Sequence, residues 1–275
     1  MPAAQSLQSI KKGMVIHMYR NLAPISKNAW DQIDARAKEV LISTLTARKA
    51  VHVSGPRGSE YVVYNHGRLG EVSENNGVSF ASYQVTPLVE TRIEFKLSRW
   101  ALDNAVRGDK NIDFSNLEEA VKKAALFEER LVYEGLSEGA VKGLKNVSET
   151  SLKLGNTSSD IKKSVAEGVL KLRNAYASGK LDLIVSQELY TKLWSLESQT
   201  PLVKALEEMI SGKVIASEVL KGALLIPHDH ENLELVLGDD FTLGYQEHDQ
   251  KEVTFFIKES LTFQITDDNL VVRFE

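Results

Sequence analysis

Residues 112–135 read IDFSNLEEAVKKAALFEERLVYEG, and this stretch sets the architecture because it predicts one long helix with clear ends. Ser115 and Glu118 match a capping box, in which each side chain bonds the other residue's backbone N–H. The helix should therefore run from about Asn116 to Glu134 and end at Gly135. At about 100° per residue, one face carries an apolar stripe that a single carboxylate interrupts: Leu117, Val121, Ala124, Glu128 and Leu131.

Glu128 is the unusual member of this stripe. A carboxylate there is partly desolvated and needs a cationic or hydrogen-bonding partner. Together with Glu129 it raises the question of a metal or acid–base site. A carboxylate-bridged metal site would need Glu-x-x-His, whereas Leu131 and Val132 stand three residues after the two glutamates. The sequence therefore favours a structural ion pair at Glu128.

The composition of the 275-residue chain excludes several kinds of site. Without cysteine the chain has no disulfide, no thiolate nucleophile and no cysteine-ligated zinc. Its formal net charge of -5 argues against nucleic acid bound through bulk charge. No apolar run approaches the ~18 residues that span a bilayer. We therefore expect a soluble, intracellular protein without a membrane or nucleic-acid partner.

Residues 60–97 predict a hairpin that lacks a core of its own. The run is rich in Val, Tyr and Phe, and Asn76-Gly77 supplies a strong hairpin turn. Its strands interleave polar and apolar residues, and an isolated two-stranded hairpin is marginal in water. Another subunit is the natural cover for one face or one edge of it.

The rest of the chain mixes helices and strands. Ser26 caps a first helix whose apolar positions recur at helical spacing, and helices alternate with strands from about residue 141. The tail predicts strands only: 213–217, 222–228, 233–237, 241–246, 253–260, 261–266 and 270–275. This mixture indicates the α+β class.

No motif arranges a catalytic set. The chain lacks the glycine-rich phosphate loops and the Gly-x-Ser-x-Gly nucleophile elbow. His228-Asp229-His230 has the spacing of a metal clip, but no third ligand is apparent, and we interpret it as a solvated turn between strands. The sequence thus predicts neither an enzyme nor a metal site.

Four stretches in combination resemble encapsulins of family 1, the shell proteins of prokaryotic nanocompartments. They are residues 22–58 (LAPISKNAWDQIDARAKEVLISTLTARKAVHVSGPRG), 85–108 (VTPLVETRIEFKLSRWALDNAVRG), 112–135 with VKGL at 141–144, and 235–265, which holds LVLGDDFTLGYQ and FIKESLTFQI. The resemblance covers about residues 20–275. It implies the fold of tailed-phage major capsid proteins, called the Hong Kong 97 fold.

That fold has a peripheral domain with a spine helix, an axial domain and an extended β-hairpin loop. The resemblance implies the following division: 1–59 as N-terminal arm and helix of the peripheral domain, 60–97 as the extended loop, 98–140 as peripheral domain with the spine helix, 141–220 as the axial domain, and 221–275 as mostly peripheral-domain strands. Glu128 would then clamp the spine helix to its surroundings.

The implied function is a self-assembling icosahedral shell, with the smallest form (T=1) favoured. Such a cytoplasmic nanocompartment encloses a ferritin-like iron-storage protein or a dye-decolorizing peroxidase, which it binds through a C-terminal targeting peptide on the cargo. Two alternatives remain open: a phage or prophage capsid that packages DNA, and a soluble hydrolase. The net acidic charge disfavours the first, and the missing nucleophile–base set disfavours the second.

The resemblance also implies three sets of site residues. The cargo-peptide groove would include Trp30, Ala37, Val40, Leu41, Leu45, Arg48, Ile226 and Leu237, although Val40, Leu41 and Leu45 are equally well explained as core. The five-fold opening would lie at Ser198, Gln199, Thr200 and Pro201. A flavin would stack on Trp100 with Arg92 at its phosphate. The expected aromatic partner is missing, because Gln199 and Thr200 stand before Pro201, so no cofactor is required and a flavin is disfavoured.

Overall fold

Two β-sheets form the framework of the chain in the computed structural model, which describes residues 18–147, 151–196 and 201–275. We call them the peripheral sheet and the axial sheet. Helices pack against both sheets, and a long hairpin, the extended arm, leaves the peripheral sheet. The arrangement confirms the predicted α+β class.

The peripheral sheet is built around one long strand. Its members are β1 (His52–Ser54), β6 (Val89–Ser98), β13 (Leu233–Leu237), β14 (Thr242–His248) and β15 (Glu252–Ile265). β15 pairs antiparallel with β6 along one edge and with β14 and then β13 along the other. The predicted break after Ser260 is wrong, because Ser260 pairs with Glu90 and Leu261 with Val89 in one continuous ladder.

Three helices cover this sheet within the described ranges: α1 (Lys27–Thr44), α2 (Arg99–Val106) and α3 (Ser115–Glu134). The Ser26 hydroxyl accepts a hydrogen bond from the Ala29 N–H at 3.1 Å, which confirms the predicted cap of α1. The apolar faces of α1 and α3 share one core with the sheet. Trp30 meets Phe255 of β15 edge-on there.

The predicted capping box of α3 is wrong, although its end is right. The helix begins at Ser115, whose N–H and hydroxyl both donate to the Asp113 carboxylate, at 2.9 and 2.6 Å. Glu118 instead accepts from Arg36 of α1 at 2.7 Å. The Asp113 carboxylate takes the Ser115 N–H that the capping box assigns to Glu118, while the Glu118 carboxylate is engaged by Arg36. Gly135 ends the helix with φ 82.

The axial sheet gathers strands from both halves of the chain. Its order is β11 (Val214–Ser217), β10 (Leu181–Ser186), β12 (Ala223–Pro227), β16 (Val272–Phe274) and β9 (Ser151–Leu152). The helices α4 (Ser158–Asn174), α5 (Gln187–Ser195) and α6 (Leu202–Ile210) accompany it. The boundary placed at residue 220 therefore cuts through a sheet. β12 is buried along its whole length, and it gains partners on both edges only inside the axial sheet.

The extended arm consists of two short ladders. β2 (Val63–Leu69) pairs with β5 (Tyr83–Pro87), and β3 (Ser73–Asn75) pairs with β4 (Val78–Phe80) around the predicted Asn76-Gly77 turn. The arm ends near residue 88 rather than at residue 97, because β6 pairs with β15 over its full length. The last residues given to the loop thus belong to the peripheral sheet.

A small ladder of β7 (Gly135–Leu136) and β8 (Val141–Lys142) closes the turn after α3. In the ranges that the structure covers, none of the helices has both the length and the apolar character needed to cross a membrane.

Candidate functional site

The extended arm exposes apolar side chains along both ladders. Phe80 is 56% exposed and Tyr83 is 70% exposed, and their apolar neighbours are similarly open. The exposed set also contains Val62, Val63, Leu69, Val72, Val78 and Val85. So much apolar surface on a two-stranded ribbon is unfavourable in water, which makes the arm the candidate surface for contact with another chain.

Glu128 of α3 contacts Arg48, which lies in the short turn after α1. Arg48 Nε donates to Glu128 Oε1 at 2.8 Å, and Nη2 donates to Oε2 at 2.6 Å. The same Nη2 donates to Glu259 of β15 at 2.7 Å, and Nη1 lies 3.0 Å from Asp240. The Arg48 side chain is only 12% exposed. The guanidinium therefore joins the turn, the helix and the strand from inside the protein.

Glu129 holds the same turn through its backbone. Oε1 accepts the N–H groups of Thr46 and Ala47, each at 2.7 Å, and the Thr46 hydroxyl donates to Oε2. The Thr46 hydroxyl also lies 3.2 Å from that of Tyr133. Burial raises the pKa of Glu129 to about 7. The adjacent glutamates of α3 thus hold one turn, Glu129 through N–H groups and Glu128 through a side chain.

The eight residues predicted for the cargo groove do not form one surface. Trp30 is buried, with the Arg20 guanidinium 3.8 Å from its ring centroid. Four more are also buried in this chain: Ala37, Leu45, Ile226 and Leu237. Arg48 is engaged by the three carboxylates described above. These six assignments are corrected, because such side chains cannot reach a peptide without opening the core.

The remaining two, Val40 and Leu41, are half-buried on α1. Ile42 beside them is 41% exposed, and the sequence reasoning missed it because it lies off the apolar stripe. An apolar residue on an otherwise polar helix face is the signal that would have found it. A cavity of about 410 Å³ opens beside this end of α1. Its lining includes Val40, Ser43 and Thr44 of α1, Glu118, Glu119 and Lys122 of α3, and Glu218.

The residues considered for a flavin lie on β6 and α2. Arg92 donates to Gln246, and its guanidinium lies 3.6 Å from the ring centroid of Phe256. Trp100 is 74% exposed at the start of α2. Arg92 is thus engaged within its own chain, while the Trp100 ring is open for contact.

The sequence His228-Asp229-His230 lies in the turn between β12 and β13, as predicted. His228 Nδ1 is 2.6 Å from Asp182, and Asp229 is 2.8 Å from His52 Nδ1. Among the described residues no group of three or more His, Asp or Glu side chains is placed to hold a metal. The turn thus joins the two sheets through His–Asp pairs.

The predicted five-fold opening lies largely outside the described residues. Ser198, Gln199 and Thr200 are not covered, and Pro201 is the exposed residue before α6.

Comparisons with known proteins bear on both fold and family. The chain matches the family model Linocin_M18, described as an encapsulating protein for peroxidase, over residues 15–262. The type 1 encapsulin shell protein of Mycobacterium tuberculosis is 31% identical over 250 residues, which cover 90% of this chain and 94% of the relative. The type 1 encapsulin shell protein of Rhodococcus erythropolis is 29% identical over 259 residues, which cover 93% of this chain and 98% of the relative.

Solved structures share the fold. A virus-like particle from Pyrococcus furiosus is similar with a TM-score of 0.64 at 17% identity, over 90% of this chain and 99% of that chain. The capsid of the Myoviridae phage XM1 is similar with a TM-score of 0.53 at 11% identity, over 81% of this chain and 88% of that chain. These similarities confirm the capsid-like fold. With the family match spanning most of its length, the chain belongs to the encapsulin shell proteins.

Proposed function

We propose that this chain assembles with copies of itself into a closed icosahedral shell around a cargo enzyme. The extended arm carries the proposal, because its exposed apolar ladders need cover that the described part of the chain does not give. The arm of one copy lies across its neighbour, and that neighbour's arm crosses the next. Repetition of this head-to-tail contact closes a symmetric particle when the rotation between copies is fixed.

The proposed cargo is a peroxidase, such as a dye-decolorizing peroxidase. The description of the family model supports this choice. A ferritin-like iron-storage protein is the alternative cargo. The proposed particle is the smallest icosahedral shell, T=1, located in the cytoplasm. The shell itself is a container rather than an enzyme and works without a metal, a flavin or nucleic acid.

The proposed cargo-peptide surface is the end of α1, at Val40, Leu41 and Ile42. These aliphatic side chains retain access to solvent, whereas the other predicted groove residues are buried or engaged. Of the three, Val40 also lines the cavity beside this end of α1, whose wall carries polar groups of α3. A peptide with alternating aliphatic and polar residues suits such a surface, because apolar pockets give affinity and polar groups fix its orientation.

The proposed five-fold opening is the turn of Ser198, Gln199, Thr200 and Pro201. Its residues are neutral. Passage of small molecules through it would then depend more on width than on charge.

To test the proposal, the chain is co-expressed with a dye-decolorizing peroxidase in two samples. One sample contains the peroxidase with its C-terminal tail, and the other contains the peroxidase without it. Negative-stain microscopy should show closed particles in both cases, with peroxidase co-purifying only when the tail is present. Particles that retain the tail-less enzyme equally well would contradict peptide-directed loading. A protein that stays monomeric would contradict the shell itself.

A substitution locates the peptide surface. Leu41→Asp and, separately, Ile42→Asp should lower the peroxidase content of intact particles at least about tenfold, since a buried carboxylate against an aliphatic peptide is strongly unfavourable. Leu170→Asp is the matched control, because Leu170 is an exposed leucine of α4. Unchanged loading in both α1 variants would rule out this surface.

A further inference from the structure

A buried charge cluster joins three elements of the peripheral domain. Arg48 lies at its centre, and the Nη2 group of Arg48 contacts Glu128 Oε2 at 2.6 Å and Glu259 Oε1 at 2.7 Å. The two carboxylates are therefore immediate neighbours. Asp240 completes the cluster at 3.0 Å from Nη1. Glu128 and Glu259 are fully buried, whereas Asp240 retains some exposure.

The cluster has too little positive charge. Three carboxylates face one guanidinium, so full ionisation would leave two excess negative charges in a desolvated region. Other titratable groups on the packed elements are Glu129 and Tyr133 of α3, Asp239 before β14, Lys258 of β15 and Glu90 of β6. Lys258, the cation of this set, is engaged by Asp239 at 3.0 Å and Glu90 at 3.8 Å.

One oxygen of the cluster lacks a partner. Glu259 Oε2 is buried and has no hydrogen-bond partner within the described ranges. An ionised carboxylate oxygen in that position would be costly. A proton on Glu259 removes one of the two excess charges and converts one of its oxygens into a donor toward Glu128.

We propose that Glu259 keeps a proton at neutral pH, directed toward the neighbouring Glu128 carboxylate, and that this proton holds the turn at residues 46–49 against α3 and β15. We call the arrangement the acid latch. With the proton present, Arg48 binds one carboxylate and one carboxylic acid without net repulsion between them. Without it, two buried like charges compete for one guanidinium and the turn loosens from both elements.

The electrostatic environment supports the direction of this effect. Burial and then the charge of Glu128 raise the pKa of Glu259 well above its ordinary value. The folded chain thus binds the proton more tightly than the unfolded chain does. The resulting stability is fully present below the unfolded-state pKa and is lost as the pH rises through the folded-state pKa. The acid latch therefore loosens toward alkaline pH.

The test compares thermal unfolding of purified assembled protein between about pH 7 and about pH 9.5. Glu129, whose pKa is about 7, also loses protons in the lower part of this range, but it does so in the wild type and in the variants alike. Glu259→Gln imitates the protonated acid at every pH. The variant should unfold within about 2 °C of the wild type at the lower pH, and its Tm should fall at least about 3 °C less across the range. The control is Glu119→Gln, an exposed substitution on the same helix. Its Tm should fall across the range as much as that of the wild type.

Opposite results would overturn the acid latch. If Glu259 is ionised at neutral pH, Glu259→Gln loses an ion pair with Arg48, so its Tm drops at the lower pH while the slope stays that of the wild type. A second measurement serves if the variant fails to fold. Infrared difference spectra of Glu129→Gln protein, in which that second buried carboxyl is absent, recorded with and without ¹³C-labelled glutamate, should show a protonated carboxyl at neutral pH that disappears under alkaline conditions. No such band at neutral pH would refute the proposal.

Discussion

At the scale of single residues, the neighbouring Glu128 and Glu129 of α3 bind different partners. The periodicity of α3 places Glu128 on the buried stripe, and the sequence correctly indicates that it needs a partner there. Sequence periodicity describes one helix at a time, so it does not say which distant residue meets that helix. Arg48, eighty positions away, meets Glu128 in the fold. Its burial also explains why it is not available to a bound peptide.

Glu129→Gln should remove a pH-dependent loss of stability. Burial raises the pKa of Glu129 to about 7. Stability from this group is therefore fully present below about pH 4.5 and is lost as the pH rises through about 7, a change on the order of 3 kcal/mol. The glutamine oxygen can still accept the N–H groups of Thr46 and Ala47, and its amide can donate to the Thr46 hydroxyl.

Urea denaturation midpoints of wild type and variant, measured at about pH 5 and about pH 8, check this prediction. The midpoint of the wild type should fall more between the two conditions than that of Glu129→Gln. Equal falls in the two proteins would show that Glu129 titrates as an ordinary carboxyl.

At the scale of helices and strands, local signals were sufficient where one residue decides the outcome. The Ser26 cap and the Gly135 end were predictable because each depends on a single side chain or its absence. The capping box of α3 was not, because the Asp113 carboxylate takes the Ser115 N–H that the box assigns to Glu118. The continuity of β15 was also missed, since it depends on partners distant in sequence, which pair with the chain through Ser260 and Leu261.

Gly135→Ala should destabilise the protein strongly. Gly135 has φ 82, and an added Cβ would lie 2.6 Å from Gly143 N and 2.6 Å from Val141 O, both backbone atoms. Gly179 has φ 84 with open space around it, so Gly179→Ala measures conformational strain alone. We expect a loss of about 1–2 kcal/mol for Gly179→Ala and more than about 3 kcal/mol for Gly135→Ala.

Denaturation midpoints of the two variants give the comparison. The difference between them combines two effects: the clash with the backbone of residues 141 and 143, and the added strain of Gly135, whose ψ of 179 is open almost only to glycine. Equal losses would mean that the turn after α3 adjusts without cost.

At the scale of the whole molecule, the two sheets with their helices differ from the extended arm in how their apolar residues are covered. The two sheets with their helices bury their apolar residues within one chain, so their existence follows from hydrophobic pattern. The arm does not bury its apolar residues within the chain. Its sequence pattern indicates a hairpin but does not indicate what covers it. Its sequence-based limit of residue 97 was too late for the same reason, because β6 continues the apolar alternation into the sheet.

The candidate peptide surface was only partly predictable. The resemblance to encapsulins placed Val40 and Leu41 in the groove, but it also placed there Trp30 and Ala37, which face the core. A helical pattern identifies the apolar face without saying whether a sheet or a ligand covers it. Ile42 was missed because it belongs to no such pattern.

The arm yields the last prediction, which concerns assembly. Replacing Phe80 and Tyr83 together by Asp should leave the single chain folded, because both rings are largely exposed in it. In the proposed shell the same positions face a neighbouring chain, where buried and unpaired carboxylates are costly. Sedimentation velocity should then show slow single chains in place of large particles, while circular dichroism stays that of the wild type. Phe80→Leu with Tyr83→Phe, which keeps both positions apolar, should still form particles. Normal particles from the double Asp variant would mean that the tip of the arm contributes nothing to assembly.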